Sequence, residues 1–406
     1  MTEPIARPRM QALDVFRGLT VGAMILVNNP GSWTSIWPPL RHAAWHGCTP
    51  TDLIFPFFLF IVGASLFLAQ RGEASKHGGA GVSSGWLVAA RRAGVLIALG
   101  LLLNWFGHWD FASLRVPGVL QRIGLCYFIA WIIIKGSPTV VQVTIGLLLV
   151  LHTTLLFVGA DSAPDALAES GNLQAKVDDA ILGRGHLYSR SPTDPEGLLS
   201  TLSATATVLM GYLSMRYLSQ SATSSPANAD SGEPVGLAAP HARLLSAGII
   251  VSAVGWLSAG APAPWDWFAT PSGILRFDLP LNKPLWTASY AILTGGLAMI
   301  SLAVLIAIEQ SRLRDWLAPL WSAGRAMGRN AIVVFVGSGL FARLLTMIPA
   351  PVSGGATGTL KTRAHELILA TGLSPVAASL AFALLTVTVW TLVALIMQNR
   401  RFFVRV

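Results

Sequence analysis

About ten times along this chain a stretch of roughly 16–24 mostly apolar residues recurs between polar turns. Around 20 such residues are what an α-helix needs to cross a bilayer. The stretches run over residues 13–29, 51–70, 86–106, 118–134, 139–158, 198–218, 244–259, 286–309, 330–348 and 376–397. Lipid offers the backbone no hydrogen-bond partners, so spanning segments of this length close their own bonds as helices. The expected fold is an all-α integral membrane protein with about ten transmembrane helices, built as a single domain over residues 1–406. Composition agrees: 53% of the 406 residues are apolar and 12% charged, half the charge of an ordinary soluble domain.

The net charge of +9 would admit a nucleic-acid partner in a soluble protein. Here the basic residues fall between the apolar runs, and the positive-inside bias accounts for them, so no nucleic acid is expected. That bias places both termini in the cytoplasm and turns residues 31–48 outward. The start, MTEPIARPRM, is polar and carries no signal-peptide pattern. Cys48 and Cys126 make no disulfide framework. Two polar intervals divide the chain. Residues 159–196 are expected to form an outer loop with a short helix. Residues 219–242, rich in Ser, Ala, Pro and Gly, are expected to be a flexible cytoplasmic linker between two halves.

Polar residues concentrate in the loop between the first two apolar runs, NNPGSWTSIWPPLRHAAWHGCTPTD. Ionisable and polar groups at a membrane edge mark a functional site by default. His42 and His46 flank Trp45. The charge of Arg41 favours a neutral His42 ring, a form that serves as base or nucleophile; the alternative is a hydrogen-bonded structural histidine. Asp52 either orients an imidazole, binds an amine, or simply caps a helix start. His42 and His46 have i, i+4 spacing without the His-Glu-x-x-His pattern, and Gly47 and Pro50 oppose a long helix, so no metal is expected. Asp14 and Arg17 share a helix face, either as a local ion pair or with the arginine turned inward to hold a phosphate. Asn28 lies eleven residues on, roughly 16 Å along the same helix. Arg329 is either a snorkelling anchor or a phosphate ligand. Glu196, in Asp-Pro-Glu-Gly, reads as a helix-start acid.

The runs LDVFRGLTVGAMILVNNPG and LRHAAWHGCTPTDLIFPFFLFIVGASL resemble the heparan-α-glucosaminide N-acetyltransferase family and its bacterial NagX-type members. Further resemblance lies in VPGVLQRIGLCYF, DDAILGRGHLYSRSPTDPEGLLST, LNKPLWTASY and GRNAIVVFVG. It implies a multi-pass enzyme of the bacterial inner membrane. That enzyme would move an acetyl group from cytoplasmic acetyl-CoA to the amine of a glucosamine-type sugar or glycan outside. It implies His42 rather than His46 as the active histidine, Asn28 as the family's core asparagine, and Asp52 as the residue that positions imidazole or amine. Arg17, Arg92 and Arg329 become candidates for the CoA phosphates. Trp45, His186, Tyr188, Glu196, Lys283 and Trp286, with Trp265 and Trp267, become candidate sugar contacts. The lysosomal members imply a homodimer. The competing class is an amino-sugar or N-acetylglucosamine permease, or an accessory to one, which would need no acetyl-CoA.

Overall fold

The computed structural model describes residues 10–76, 85–162, 164–223, 240–260 and 279–404. Almost all regular structure among them is helical. The long helices are α1 (Gln11–Asn28), α2 (Ile54–Lys76), α3 (Gly85–Trp105), α4 (Val119–Ile133), α5 (Pro138–Val158), α7 (Thr201–Thr223), α8 (Pro240–Ser258), α9 (Ala288–Glu309), α12 (Ala331–Met347) and α14 (Pro375–Asn399). Between them lie α6 (Leu173–Leu182), α10 (Leu313–Trp316), α11 (Ala318–Arg329) and α13 (Leu360–Leu369). The exception is a two-stranded antiparallel hairpin, β1 (Pro349–Pro351) with β2 (Thr357–Thr359), in register Pro349 to Thr359.

Six of the described helices are long and apolar enough to cross a membrane: α2, α3, α5, α8, α9 and α14. A seventh span arises if α11 and α12, bent by 83° at Asn330, count as one. By length and composition the described helices therefore number six or seven spans rather than ten. Helices α1, α4 and α7 account for the difference. With 15 residues, α4 is short. The first turns of α1 carry Asp14 and Arg17. Helix α7 is rich in Ser and Thr because other helices enclose it: Ala204, Thr205, Ala206, Thr207, Val208 and Leu209 are all fully buried. A helix wrapped by protein does not have to be lipophilic, and hydroxyls on it can bond the preceding turn, as Thr205 does on the Thr201 carbonyl and Ser214 on the Met210 carbonyl, each at 2.8 Å. By contrast α5 exposes Leu147, Val150 and Val158, the surface a lipid-facing helix presents.

Helices α1 and α11 touch backbone to backbone. A Cβ on Gly18 would lie 1.8 Å from the Gly324 carbonyl oxygen, and one on Gly328 would lie 1.8 Å from that of Asp14. Only glycine permits this approach, as small residues do at membrane helix contacts generally. The contact sets Arg17 of α1 and Arg329 of α11 beside one another's helix. Residues 159–196 hold α6, N-capped by Asn172, whose side chain accepts from the Ala175 amide. The interval 219–242 is helical at both described edges, since α7 runs to Thr223 and α8 starts at Pro240. Residues 224–239, which contain the rest of the expected linker, lie outside the described residues.

Candidate active site

The loop that follows α1 contains two short 3-10 turns, Pro38–Leu40 and Pro50–Leu53. Its proline and glycine content prevents a continuous helix and folds it back over the start of α2. Asp52 is the pivot. Its carboxylate is 1% exposed, and the two oxygens do different work. Oδ2 accepts from the Thr49 amide at 3.1 Å, the Thr49 hydroxyl at 2.9 Å and the Ala43 amide at 3.1 Å. This is the capping box of the 3-10 turn that opens α2. Oδ1 takes the His42 ring, with Nδ1 at 2.6 Å. The helix-start role and the imidazole-orienting role read from the sequence are thus both filled by one side chain. The Tyr290 hydroxyl donates to the Asp52 backbone carbonyl at 2.6 Å and fixes the turn from below.

With Nδ1–H donating to the buried carboxylate, His42 carries its free lone pair on Nε2, on a side chain that is 52% exposed. Lys283 joins the pair, its Nζ 3.1 Å from His42 Nδ1 and 3.4 Å from Asp52 Oδ1. A ring nitrogen that donates to Asp52 cannot also accept from lysine, so the ammonium bonds the carboxylate and sits beside the ring as a positive charge. His46 points elsewhere: its Nδ1 lies 3.3 Å from the Asn282 amide nitrogen. Burial lowers the His46 pKa. The same Asn282 amide donates to the Trp45 carbonyl at 3.1 Å, and the Gly47 amide donates to the Leu281 carbonyl at 2.7 Å. These bonds dock the segment before α9 onto the histidine loop and carry Lys283 to His42. Trp45 is half-buried, its indole donating to the Leu167 carbonyl at 2.8 Å. Burial, with Asp52 nearby, raises the Cys48 thiol far above its ordinary pKa and leaves it unreactive.

Arg17, Arg92 and Arg329, from three different helices, line a single cavity of about 330 Å³. Met24, Leu120 and Phe335 supply part of its apolar wall. Arg17 makes the local ion pair and also turns inward. It bonds Asp14 at 3.2 Å, and its other guanidinium nitrogen donates to the Ser65 hydroxyl at 2.6 Å, inside the bundle. Arg329 stacks over the Phe403 ring, 3.7 Å from its centroid.

Asn28 lines a second cavity of about 300 Å³ with Asn104, Arg115, Gln121 and Arg343. Met24, Val119, Leu120 and Phe335 belong to the walls of both cavities, so the two follow one another along the bundle. His42 is not part of this lining. Asn28 and His42 are thus placed at the same end of α1 but not in contact.

The expected sugar contacts divide. Lys283 and Trp45 sit at or beside His42. His186 donates from Nδ1 to the Leu114 carbonyl at 2.8 Å, and Tyr188 lies under the Arg115 guanidinium, 4.8 Å from the ring centroid. Glu196 pairs with Arg115, as does Asp194 at 2.6 Å, so its carboxylate is already engaged in an ion pair. Burial opposes the Arg115 charge, yet these two carboxylates raise its pKa above the ordinary value. Trp286 is a correction. It is 0% exposed, donates to the Thr207 hydroxyl at 3.2 Å and packs on Phe55 and Tyr290, so it presents no face to a sugar. Trp265 and Trp267 lie outside the described residues.

Two charged residues had gone unremarked in the sequence. Arg115 ties its own loop to Tyr188, Asp194 and Glu196. Arg122 lies in the first turn of α4, 1% exposed, donating to the Gly197 carbonyl at 2.8 Å and the Ser200 hydroxyl at 2.6 Å. Its signal was an arginine within an apolar run. In the same loop region, burial with Asp194 alongside pushes the Asp178 carboxyl up to about 6. Among the described residues no three His, Cys, Asp or Glu side chains gather as a metal site would require.

Comparison with known proteins bears on this region. The family model described as heparan-alpha-glucosaminide N-acetyltransferase, catalytic, matches residues 9–174. The human heparan-alpha-glucosaminide N-acetyltransferase is 25% identical over 391 residues, covering 82% of this chain and 53% of its own length. The mouse protein of the same name is 24% identical over 383 residues, covering 81% and 53%. The chain therefore spans about half the length of the curated relatives it matches. The matched region contains Arg17, Asn28, His42 and Asp52, and over it the chain is similar to the heparan-alpha-glucosaminide N-acetyltransferase family.

Proposed function

We propose that this chain is a multi-pass membrane N-acetyltransferase that passes an acetyl group from acetyl-CoA to the amine of a glucosamine-type sugar. The observation that carries the reading is the 2.6 Å bond from His42 to the buried Asp52, with Lys283 alongside. A carboxylate that fixes an imidazole tautomer and leaves Nε2 free is the arrangement of a general base. The inner cavity fits the donor chemically: three guanidiniums suit phosphates, and an apolar wall suits a flexible thioester arm. Bound there, acetyl-CoA supplies an activated acetyl carbonyl. His42 Nε2 accepts the proton released as the sugar nitrogen forms its bond to that carbonyl, and returns it to the departing thiolate. Asp52 keeps Nδ1 protonated throughout. Lys283 adds positive charge where negative charge develops, and Asn28, at the same end of α1, offers its amide as a donor to substrate in the adjoining cavity.

The sidedness follows from the basic residues. If α1, α4, α7 and the bent α11–α12 pair cross along with the six apolar helices, the spans number ten. Both termini then face the cytoplasm and the His42 loop faces out. A reporter active only in the cytoplasm, fused after Val406, is expected to give signal. A silent, well-expressed fusion would reverse the orientation.

The test of function is incubation of the purified protein with labelled acetyl-CoA and a panel of amino sugars. N-acetylated sugar is the expected product. Sugar uptake into vesicles without donor, and no acetylated product, would replace this reading by a permease. In the same system Arg17→Ala is expected to weaken acetyl-CoA binding by about 1.5–3 kcal/mol, the scale of a charged hydrogen bond. Unchanged affinity in calorimetry would leave Arg17 a structural role, with bonds that include those to Asp14, Ser65 and Gly328.

A further inference from the structure

The outer cavity is lined by two guanidiniums, from Arg115 and Arg343, and by the carboxamides of Asn28, Asn104 and Gln121. No carboxylate lines it among the described residues. The two arginines differ. Arg115 is matched by Asp194 and Glu196 behind it. Arg343, half-buried on α12, donates to the carbonyl of Gly339 one turn back at 3.2 Å, and no acidic group pairs with it among the described residues. Gln121 is 6% exposed, and its amide nitrogen has no hydrogen-bond partner. A buried donor left unmatched costs free energy until something accepts from it. A charge within a membrane span that faces a cavity rather than lipid marks a substrate path. The cavity therefore offers donors and positive charge, and calls for oxygens and negative charge.

We infer that this cavity receives an acid-bearing acceptor, an amino sugar with a carboxylate or phosphate group, and that Arg343 selects for that group. The inference rests on the acetyl-transfer reading and narrows its acceptor class. The position is suitable, because the cavity lies at the end of α1 from which the His42 loop departs. Its shared wall of Met24, Val119, Leu120 and Phe335 is also the wall of the donor cavity.

Binding and transfer are measured separately for three acceptors: glucosamine, muramic acid, which adds a carboxylate, and glucosamine 6-phosphate. The intact protein and the Arg343→Gln and Arg343→Lys variants are compared, with thermal unfolding as the folding control. The intact protein is expected to bind at least one acidic sugar about tenfold or more tighter than glucosamine. Arg343→Gln is expected to bring that ratio close to one, and Arg343→Lys to restore part of it. A ratio near one in the intact protein, or a ratio that Arg343→Gln does not move, overturns the inference. If the binding preference is found but no sugar is acetylated, the site stands and the transferase reading falls. If sugars are acetylated without any preference, the transferase reading stands and the site falls.

Discussion

His42→Ala is expected to lower acetyl transfer by about 10²–10⁴-fold, the usual contribution of a positioned general base, while leaving acetyl-CoA affinity close to that of the intact protein. The two effects separate because the arginine-lined cavity and the histidine loop are different places. Arg17, Arg92 and Arg329 line the first, and His42 is not among its lining residues. His46→Ala is the control. That ring bonds the Asn282 amide and makes no contact with Asp52, so its loss is expected to change the rate by roughly no more than a few-fold, through a looser loop. The measurement is kcat and KM for both substrates, with donor binding by calorimetry. A His42→Ala variant with near-normal turnover beside a dead His46→Ala would exchange the roles of the two histidines. Labelled protein after a single turnover in the intact chain, absent in His42→Ala, would further identify an acetyl-histidine intermediate over direct transfer.

What could be read from the sequence was what is local. Apolar runs of membrane length gave most helices to within a few residues, and the basic residues at their ends gave a sidedness to test. Arg17, Arg92 and Arg329 were candidates one by one, and the fold brings them to one cavity. Distant pairings were out of reach. Lys283 is 241 residues from His42, and no spacing rule connects them. The contact depends on Asn282 bonding the Trp45 carbonyl and on the Gly47 to Leu281 backbone bond. The span count failed to settle for a related reason. Hydropathy reports what faces lipid, and α7 faces other helices, so its serines and threonines carry no membrane signal even though the helix has 23 residues. Trp286 was misread because a tryptophan beside a polar loop looks like an interface residue. Only packing shows that Phe55, Tyr290 and Arg122 close over it.

Asp52→Asn is expected to lower the rate by about 10³–10⁴-fold, close to what the corresponding change does in a Ser-His-Asp triad, and it tests the site more severely than loss of the histidine. The substitution keeps the shape and changes which atoms accept. At present Oδ2 accepts from three donors, two on Thr49 and one on Ala43, and Oδ1 accepts from His42. An asparagine has one oxygen for these two duties. With its oxygen toward Thr49 and Ala43, its NH₂ faces His42 Nδ1 and draws a lone pair there, which moves the ring proton to Nε2 and removes the base. With its oxygen toward His42, the NH₂ faces three donors, and the capping box that opens α2 is lost at about 0.5–2 kcal/mol. Either orientation also leaves Lys283 without the carboxylate it now lies 3.4 Å from. The two failures are separable. Rate loss with an unchanged melting temperature indicates the wrong tautomer, and rate loss with a lowered one indicates a broken turn. Asp52→Asn with nearly full activity and unchanged stability would show that His42 does not depend on this carboxylate, and the His42–Asp52 bond would lose its place in the mechanism.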